Sequence, residues 1–183
     1  NMTALSKESN VSNQCVDVLI VVFKPSFPLL ERVLSSLIDS SKNNLKLKVH
    51  ILHNDDTRFS DNAAHLYHNM SAKGLDLNVY QAKSNKGFGF GINELAGMAN
   101  SPFYLVLNQD AIPEAGAIEN LLRIASQSNE DIAMWEMRQI PYEHPKIYKP
   151  SSLETPWVSG AAFLIRSSVF KEVSGFDPRI FMY

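Results

Sequence analysis

Apolar positions along the chain change their period at nearly regular intervals. Residues 16–23 (VDVLIVVF) form a continuous β-branched run, as expected of a strand buried on both faces. The segment 27–41 sets Leu30, Val33, Leu34, Leu37 and Ile38 on one helical face, with Ser26 and Pro28 marking its start. Residues 45–52 (LKLKVHIL) read as a strand with an alternating first half, 60–73 as a weaker helix, and 75–82 (LDLNVYQA) as an alternating strand. Ile92, Leu95, Ala96 and Ala99 fall at helical spacing within 89–100, and 103–107 (FYLVL) is another buried strand. A helix is predicted over 113–126 with Pro113 in its first turn, then a strand over 131–137. A loop with prolines over 139–156, a strand over 157–165 and a short helix over 167–173 complete the pattern.

Strands alternating with helices predict an α/β sandwich with a mostly parallel central sheet. Ligands of such sheets bind beyond the carboxyl ends of the strands. Three strand ends therefore matter: Phe23-Lys24-Pro25, His53-Asn54-Asp55-Asp56 and Asn108-Gln109-Asp110. Residues 1–15 are expected to be a loose segment and 16–183 a single domain.

Composition narrows the classes. A chain of 183 residues with 45% hydrophobic residues can bury one sizeable core. A net charge of −2 argues against a nucleic-acid binder driven by bulk charge. The single cysteine, Cys15, excludes an internal disulfide and a cysteine-rich metal site, and suits a reducing compartment. The opening NMTALSKESNVSNQ is polar, unlike a signal peptide, and the apolar run 18–23 is too short to cross a bilayer. Any membrane association is expected to be peripheral.

Asp110 stands where a buried strand meets the rim of the sheet. It is either a turn or helix-cap residue before Pro113, or a ligand for a divalent cation. In SNKGFGFGINELAG (84–97), alternating glycines run into a helix, which offers backbone N–H groups to an anion or simply lets helix and sheet pack closely. The spacing is not that of a dinucleotide fingerprint. In HNDDT (53–57), Asp56 is expected in a solvated turn, while its neighbours are candidates for a base or ribose contact. His65 and His68 are expected to be exposed on a helix, without a third ligand for a metal.

Taken in order, these segments resemble family 2 glycosyltransferases of the GT-A fold, especially the rhamnosyltransferase-like branch that builds bacterial surface polysaccharides. The family's Asn-x-Gly-Phe-(small)-x-Gly-x-Asn is matched by Asn85 to Asn93, and its Leu-Asn-Pro-Asp by Leu107-Asn108-Gln109-Asp110. Trp-Val-x-Gly-Ala is matched by Trp157 to Ala161, and Gly-Phe-Asp-x-x-Phe-Phe-x-Tyr is matched approximately by Gly175 to Tyr183. VVFKP and HNDD stand at the family's first two strand ends. The resemblance spans Val16 to Tyr183. It implies a three-layer nucleotide-diphospho-sugar transferase fold and an inverting transfer of a sugar, rhamnose by that branch, to a glycan acceptor. Asp110 would hold Mg²⁺ or Mn²⁺ against the diphosphate of a dTDP- or UDP-sugar. Phe23, Lys24, His53, Asp55, Asn85, Gly87, Asn93 and Asn108 would bind the donor. Trp157 and Gly160 would line the sugar or acceptor pocket. The acceptor would be a glycan, often lipid-linked, met in the cytoplasm at the inner face of the cell membrane.

Three features depart from the family pattern. His53 replaces an aspartate that contacts the base; the alternative is a partly buried histidine satisfied by backbone. Lys24-Pro25 replaces a Tyr-Asn turn, so Lys24 is either a phosphate contact or a solvated turn lysine. The family's general base, the aspartate of a Glu-Asp pair after Phe-x-Tyr, is expected beyond Tyr183. For Trp157 the ordinary alternative is a core residue, for Gly160 tight packing, and Asp177 is expected to serve a turn. The rivals are a non-catalytic nucleotide-sugar-binding module of degenerate GT-A fold and a nucleotidyltransferase. The latter usually has a basic glycine-rich loop after its first strand, where this chain has FKPSFP.

Overall fold

The computed structural model describes residues 15–41, 45–56 and 60–181. Strands β1 (Cys15–Val22), β2 (Lys46–His53), β3 (Asp76–Gln81), β4 (Phe103–Leu107), β5 (Met134–Glu136) and β6 (Ala162–Arg166) form one sheet in the order β3-β2-β1-β4-β6-β5. The first four are parallel; β6 runs antiparallel to both β4 and β5. Cys15 is the first residue of β1, and the rest of the expected loose segment lies outside the described residues.

The unbroken apolar run of β1 reflects burial on both faces. Val16, Val18, Ile20 and Val22 pack into one core, with helices α1 (Phe27–Ser40), α2 (Asp61–Ala72) and α4 (Ala117–Gln127). Leu19 and Val21 pack into the other, with α3 (Phe88–Met98) and α5 (Ser167–Glu172). The result is the three-layer α/β/α sandwich that the alternating pattern predicts. α3 lies close on the sheet because Gly91 has no side chain: a Cβ there would come within 2.7 Å of Val21 Cγ2.

Three elements have boundaries that differ from expectation. The strand predicted from Trp157 starts only at Ala162. Ser159 accepts a hydrogen bond from the Ala161 N–H through its hydroxyl (3.3 Å), a local turn that competes with strand pairing. The helix predicted from Pro113 starts at Ala117, after Gly116 in a left-handed conformation (φ 76°). Pro113 therefore lies outside that helix. The strand predicted over 131–137 is confined to Met134–Glu136, where it pairs with β6 alone.

One acid lies inside the amino-terminal half of β1. Asp17 is fully buried, and its Oδ2 accepts from the N–H groups of Asn100 (2.8 Å) and Ser101 (2.6 Å). Its Oδ1 lies 2.8 Å from His50 Nε2 on β2. Burial alone would raise this carboxyl, but His50, Ser101 and Asn100 outweigh it and lower its pKa to about 2. The cluster ties the α3–β4 turn to the first two strands, at the opposite edge from the candidate site.

Candidate active site at the carboxyl edge of the sheet

The apolar strands β1, β2 and β4 end side by side, and their next residues carry the polar chemistry. Gln109 spans from β4 to β1: its Oε1 accepts from the Phe23 N–H (3.0 Å) and its Nε2 donates to the Phe23 carbonyl (3.2 Å). The side chain thus joins the two strand ends beyond their last paired residues, Leu19 and Val106. Asn108 fixes the same turn. Its N–H donates to the Ala161 carbonyl (2.8 Å), its carbonyl accepts from Ala111 (3.1 Å), and its Oδ1 accepts from Gln109 (3.1 Å). Asp110 follows, exposed, with no hydrogen bond or ion pair to the described residues. It caps no helix, since α4 begins at Ala117 with Gly116 in the capping position.

A second knot joins the end of β2 to the glycine loop. Asn54 is 2% exposed, and its Nδ2 donates to Asn85 Oδ1 (3.0 Å) and to the Gly87 carbonyl (2.9 Å). Asn54 Oδ1 accepts from the Lys86 N–H (3.4 Å), and Asn85 Oδ1 from the Gly87 N–H (2.9 Å). Gly87 has φ 93°, and a Cβ there would overlap the Phe181 carbonyl oxygen. That carbonyl accepts from Phe88 N–H at the start of α3 (3.3 Å). The N–H groups of Lys86, Gly87 and Phe88 are therefore already engaged within the chain. At these three positions the loop supplies a fixed shape rather than free donors.

Asn93 is turned away from the rim. Its Nδ2 donates to the Phe176 carbonyl (2.8 Å) and its Oδ1 accepts from the Phe176 N–H (2.9 Å), pinning the segment after α5 onto α3. His53 is 4% exposed, and its Nε2 meets the Tyr67 hydroxyl of α2 at 2.6 Å. The partner of this ring nitrogen is thus a side chain of α2. Burial lowers the pKa of His53, against a smaller opposing effect of Asp55. Asp55 accepts from Gln81 Nε2 through its carbonyl (2.6 Å). Lys24 is exposed, with φ 45° and its Nζ 5.2 Å from the Phe23 ring centroid. Asp56, His65 and His68 are exposed, as expected. Asp177 accepts the Arg179 N–H (3.0 Å), a turn role.

On the other flank, Trp157 is 43% exposed, which rules out a core role. The Lys146 Nζ lies 4.0 Å from its ring centroid. Gly160 is also exposed, and a Cβ there would meet only Phe88 Cε1 at 3.9 Å, so tight packing does not explain this glycine.

The glycosyl transferase family 2 model matches residues 17–183, nearly all of the sheet and every loop described above. The chain belongs to glycosyl transferase family 2. It is 27% identical to an N-acetylglucosaminyl-diphospho-decaprenol L-rhamnosyltransferase of Mycobacterium tuberculosis, over 91% of this chain and 66% of that protein. The chain thus spans slightly less than two thirds of that relative's length. In three dimensions it is similar to a mannosyltransferase of Pyrobaculum calidifontis solved with GDP-Man and Mn²⁺ (TM-score 0.70, 13% identity, 93% of this chain and 49% of that one). It is likewise similar to S. aureus TarS 1-349 solved with UDP (TM-score 0.70, 14% identity, 92% and 52%). These likenesses establish the GT-A fold.

Among the described residues no group of three His, Cys, Asp or Glu side chains is placed to hold a metal. An exposed, unpartnered carboxylate at Asp110 fits Mg²⁺ or Mn²⁺, which take one or two protein carboxylates and complete their shell with phosphate oxygens and water. Sequence reasoning passed over Asn54, Gln109, Tyr67 and Lys146. Asn54 and Gln109 lie inside recognised motifs, but nothing in the sequence says which partner a carboxamide meets across 31 or 86 residues.

Proposed function

We propose that this domain binds a nucleotide-diphospho-sugar across the ends of β1, β2 and β4 and transfers the sugar, with inversion, to a glycan acceptor. The observation that carries the proposal is the convergence of three strand ends and the Asn54–Asn85 knot beside the free carboxylate of Asp110. Asp110 is the residue to hold Mg²⁺ or Mn²⁺. Bound there, the ion would supply positive charge against the negative charge that gathers on the departing diphosphate. The chain's own groups do the rest. Gln109 and Asn108 fix the turn that aims Asp110, and Asn54 fixes the glycine loop beside it. Phe23, Lys24 and Asp55 border the donor, Trp157 and Gly160 the sugar or acceptor.

His53 is buried with its Nε2 against Tyr67, while Asp55 is only partly buried, so Asp55 is the stronger candidate for a polar base or ribose contact. The mycobacterial relative's name favours a rhamnosyl donor and a lipid-linked diphosphate acceptor. The nucleotides bound by the structural neighbours keep UDP- and other sugars in view. We place the reaction in the cytoplasm at the inner face of the membrane; no helix among the described residues is long and apolar enough to cross it.

Calorimetric titration of dTDP and UDP, with and without Mn²⁺, tests this in the wild type and in Asp110→Ala. Binding that requires Mn²⁺ and weakens at least about tenfold in the variant, equivalent to about 1.4 kcal/mol, is expected. A folded protein that binds neither nucleotide would sink the donor-site assignment.

A further inference from the structure

The glycine motif is covered by a segment brought in across 83 residues of sequence. Residues 175–181 follow α5 and are held on the first half of α3 by two anchors. At one, Asn93 takes both backbone groups of Phe176: its Nδ2 donates to the carbonyl (2.8 Å) and its Oδ1 accepts from the N–H (2.9 Å). At the other, the Phe181 carbonyl accepts from the N–H of Phe88, the first residue of α3 (3.3 Å). The Phe176 ring also packs edge to face on the Phe88 ring, centroids 6.2 Å apart.

Glycines make room for these contacts. A Cβ at Gly175 would overlap Asn93 Oδ1, and one at Gly89 would come within 2.9 Å of Phe176 Cβ. A Cβ at Gly87 would overlap the Phe181 carbonyl oxygen. Two glycines of the 84–97 motif are thus a bed for the chain's own segment. Gly87 has a second set of partners. Its carbonyl accepts from Asn54 Nδ2 (2.9 Å), and its N–H donates to Asn85 Oδ1 (2.9 Å). One residue therefore meets the candidate donor site on one side and residues 175–181 on the other. A shift of either must be taken up at Gly87, and an equilibrium coupling of this kind acts equally in both directions.

We propose that residues 175–181 form a strap whose docking on α3 is coupled through Gly87 to nucleotide binding, and that Asn93 is the positioning residue that seats it. The proposal rests on the reading of the glycine loop as part of the donor site. Asn93 touches no substrate; it acts through the strap. A seated strap holds the loop in its final shape before the nucleotide arrives, so binding does not have to order it.

The strap carries its own reporter, Arg179, whose side chain is 88% exposed. A docked segment is cut only when it opens locally, so trypsin cleavage between Arg179 and Ile180 measures the unseated fraction. Cleavage after Arg123, within α4, measures global opening in the same digests, and rates at Arg179 are taken relative to it. Wild type, Asn93→Ala and Asn54→Ala are compared with and without UDP or dTDP and Mn²⁺, and calorimetry gives the nucleotide affinities. In the wild type, nucleotide should slow the Arg179 cut at least about fivefold. Asn93→Ala should be cut at least about tenfold faster without nucleotide, since two hydrogen bonds are lost. It should also bind nucleotide more weakly, by up to the factor of protection seen in the wild type. Asn54 hydrogen-bonds to no residue of the strap, yet Asn54→Ala should speed the same cut by freeing the other side of Gly87. If Asn93→Ala does not fold, Asn93→Asp, which keeps the acceptor for the Phe176 N–H and loses the donor, takes its place with the same direction of effect.

Nucleotide that binds the wild type without slowing the cut overturns the coupling, as does an Arg179 rate unchanged in Asn54→Ala. Asn93→Ala that is cut faster yet binds nucleotide as tightly as the wild type overturns the role of Asn93. A folded wild type that binds neither nucleotide counts against the donor site instead, and the Asn54→Ala digest still decides whether loop and strap are coupled.

Discussion

Asn54 and Asn85 meet side chain to side chain, 3.0 Å apart, at the junction between the end of β2 and the glycine loop. Asn54 points its amide toward two acceptors, Asn85 Oδ1 and the Gly87 carbonyl, and is almost fully buried. Both groups lose their donor if that amide becomes a carboxylate. Asn54→Asp is therefore expected to destabilise the fold more than Asn54→Ala, with a loss of about 1–3 kcal/mol for the alanine variant. Urea denaturation checks the order, and UDP titration should show weaker binding in both. An aspartate variant as stable as the wild type would contradict the knot.

Gln109 acts at an exposed place, so its effect should divide differently. Its two bonds to Phe23 compete with water, and Gln109→Ala is expected to cost about 1 kcal/mol or less in global stability. The same change frees the turn that aims Asp110. Nucleotide affinity in Mn²⁺ should fall more than stability does. Paired denaturation and calorimetry measure the two quantities, and a purely global loss would show that the clamp only braces the sheet.

The Asp17–His50 cluster predicts an acid limb of stability. The folded pKa of Asp17, about 2, lies below the ordinary carboxyl value of about 3.9. The unfolded chain therefore takes up the proton first. The stabilisation, about 2 kcal/mol, is complete well above pH 4 and is lost as pH falls toward 2. Asp17→Asn should be less stable than the wild type at pH 7, with the gap narrowing between pH 5 and pH 2.5. Denaturant midpoints at those values decide it; a gap constant with pH would assign the loss to packing.

Much of this protein was legible in one dimension. Continuous β-branched runs announced the buried strands, and helical spacing identified the faces of α1 and α3, because the periods of burial are written into side-chain polarity. The GT-A fold followed from the order of elements and motifs, and the carboxyl edge of the sheet followed from topology. Boundaries failed where local chemistry overrode periodicity. The Ser159 hydroxyl holds Ala161 in a turn, and Gly116 delays α4.

Site roles divided along a similar line. The sequence by itself determined which polar residues reach the rim, since a strand of known length ends at a known residue. Only the tertiary structure decided what each side chain does there. Asn93 turns to Phe176 across 83 residues, Gln109 to Phe23 across 86, and His53 to Tyr67 on another helix. Lys146 lies beneath Trp157 although nothing in their spacing pairs them. A carboxamide, an imidazole or an ammonium can satisfy its hydrogen bonds in many ways. The choice depends on which elements the fold brings within about 3 Å, and no local period encodes that distance.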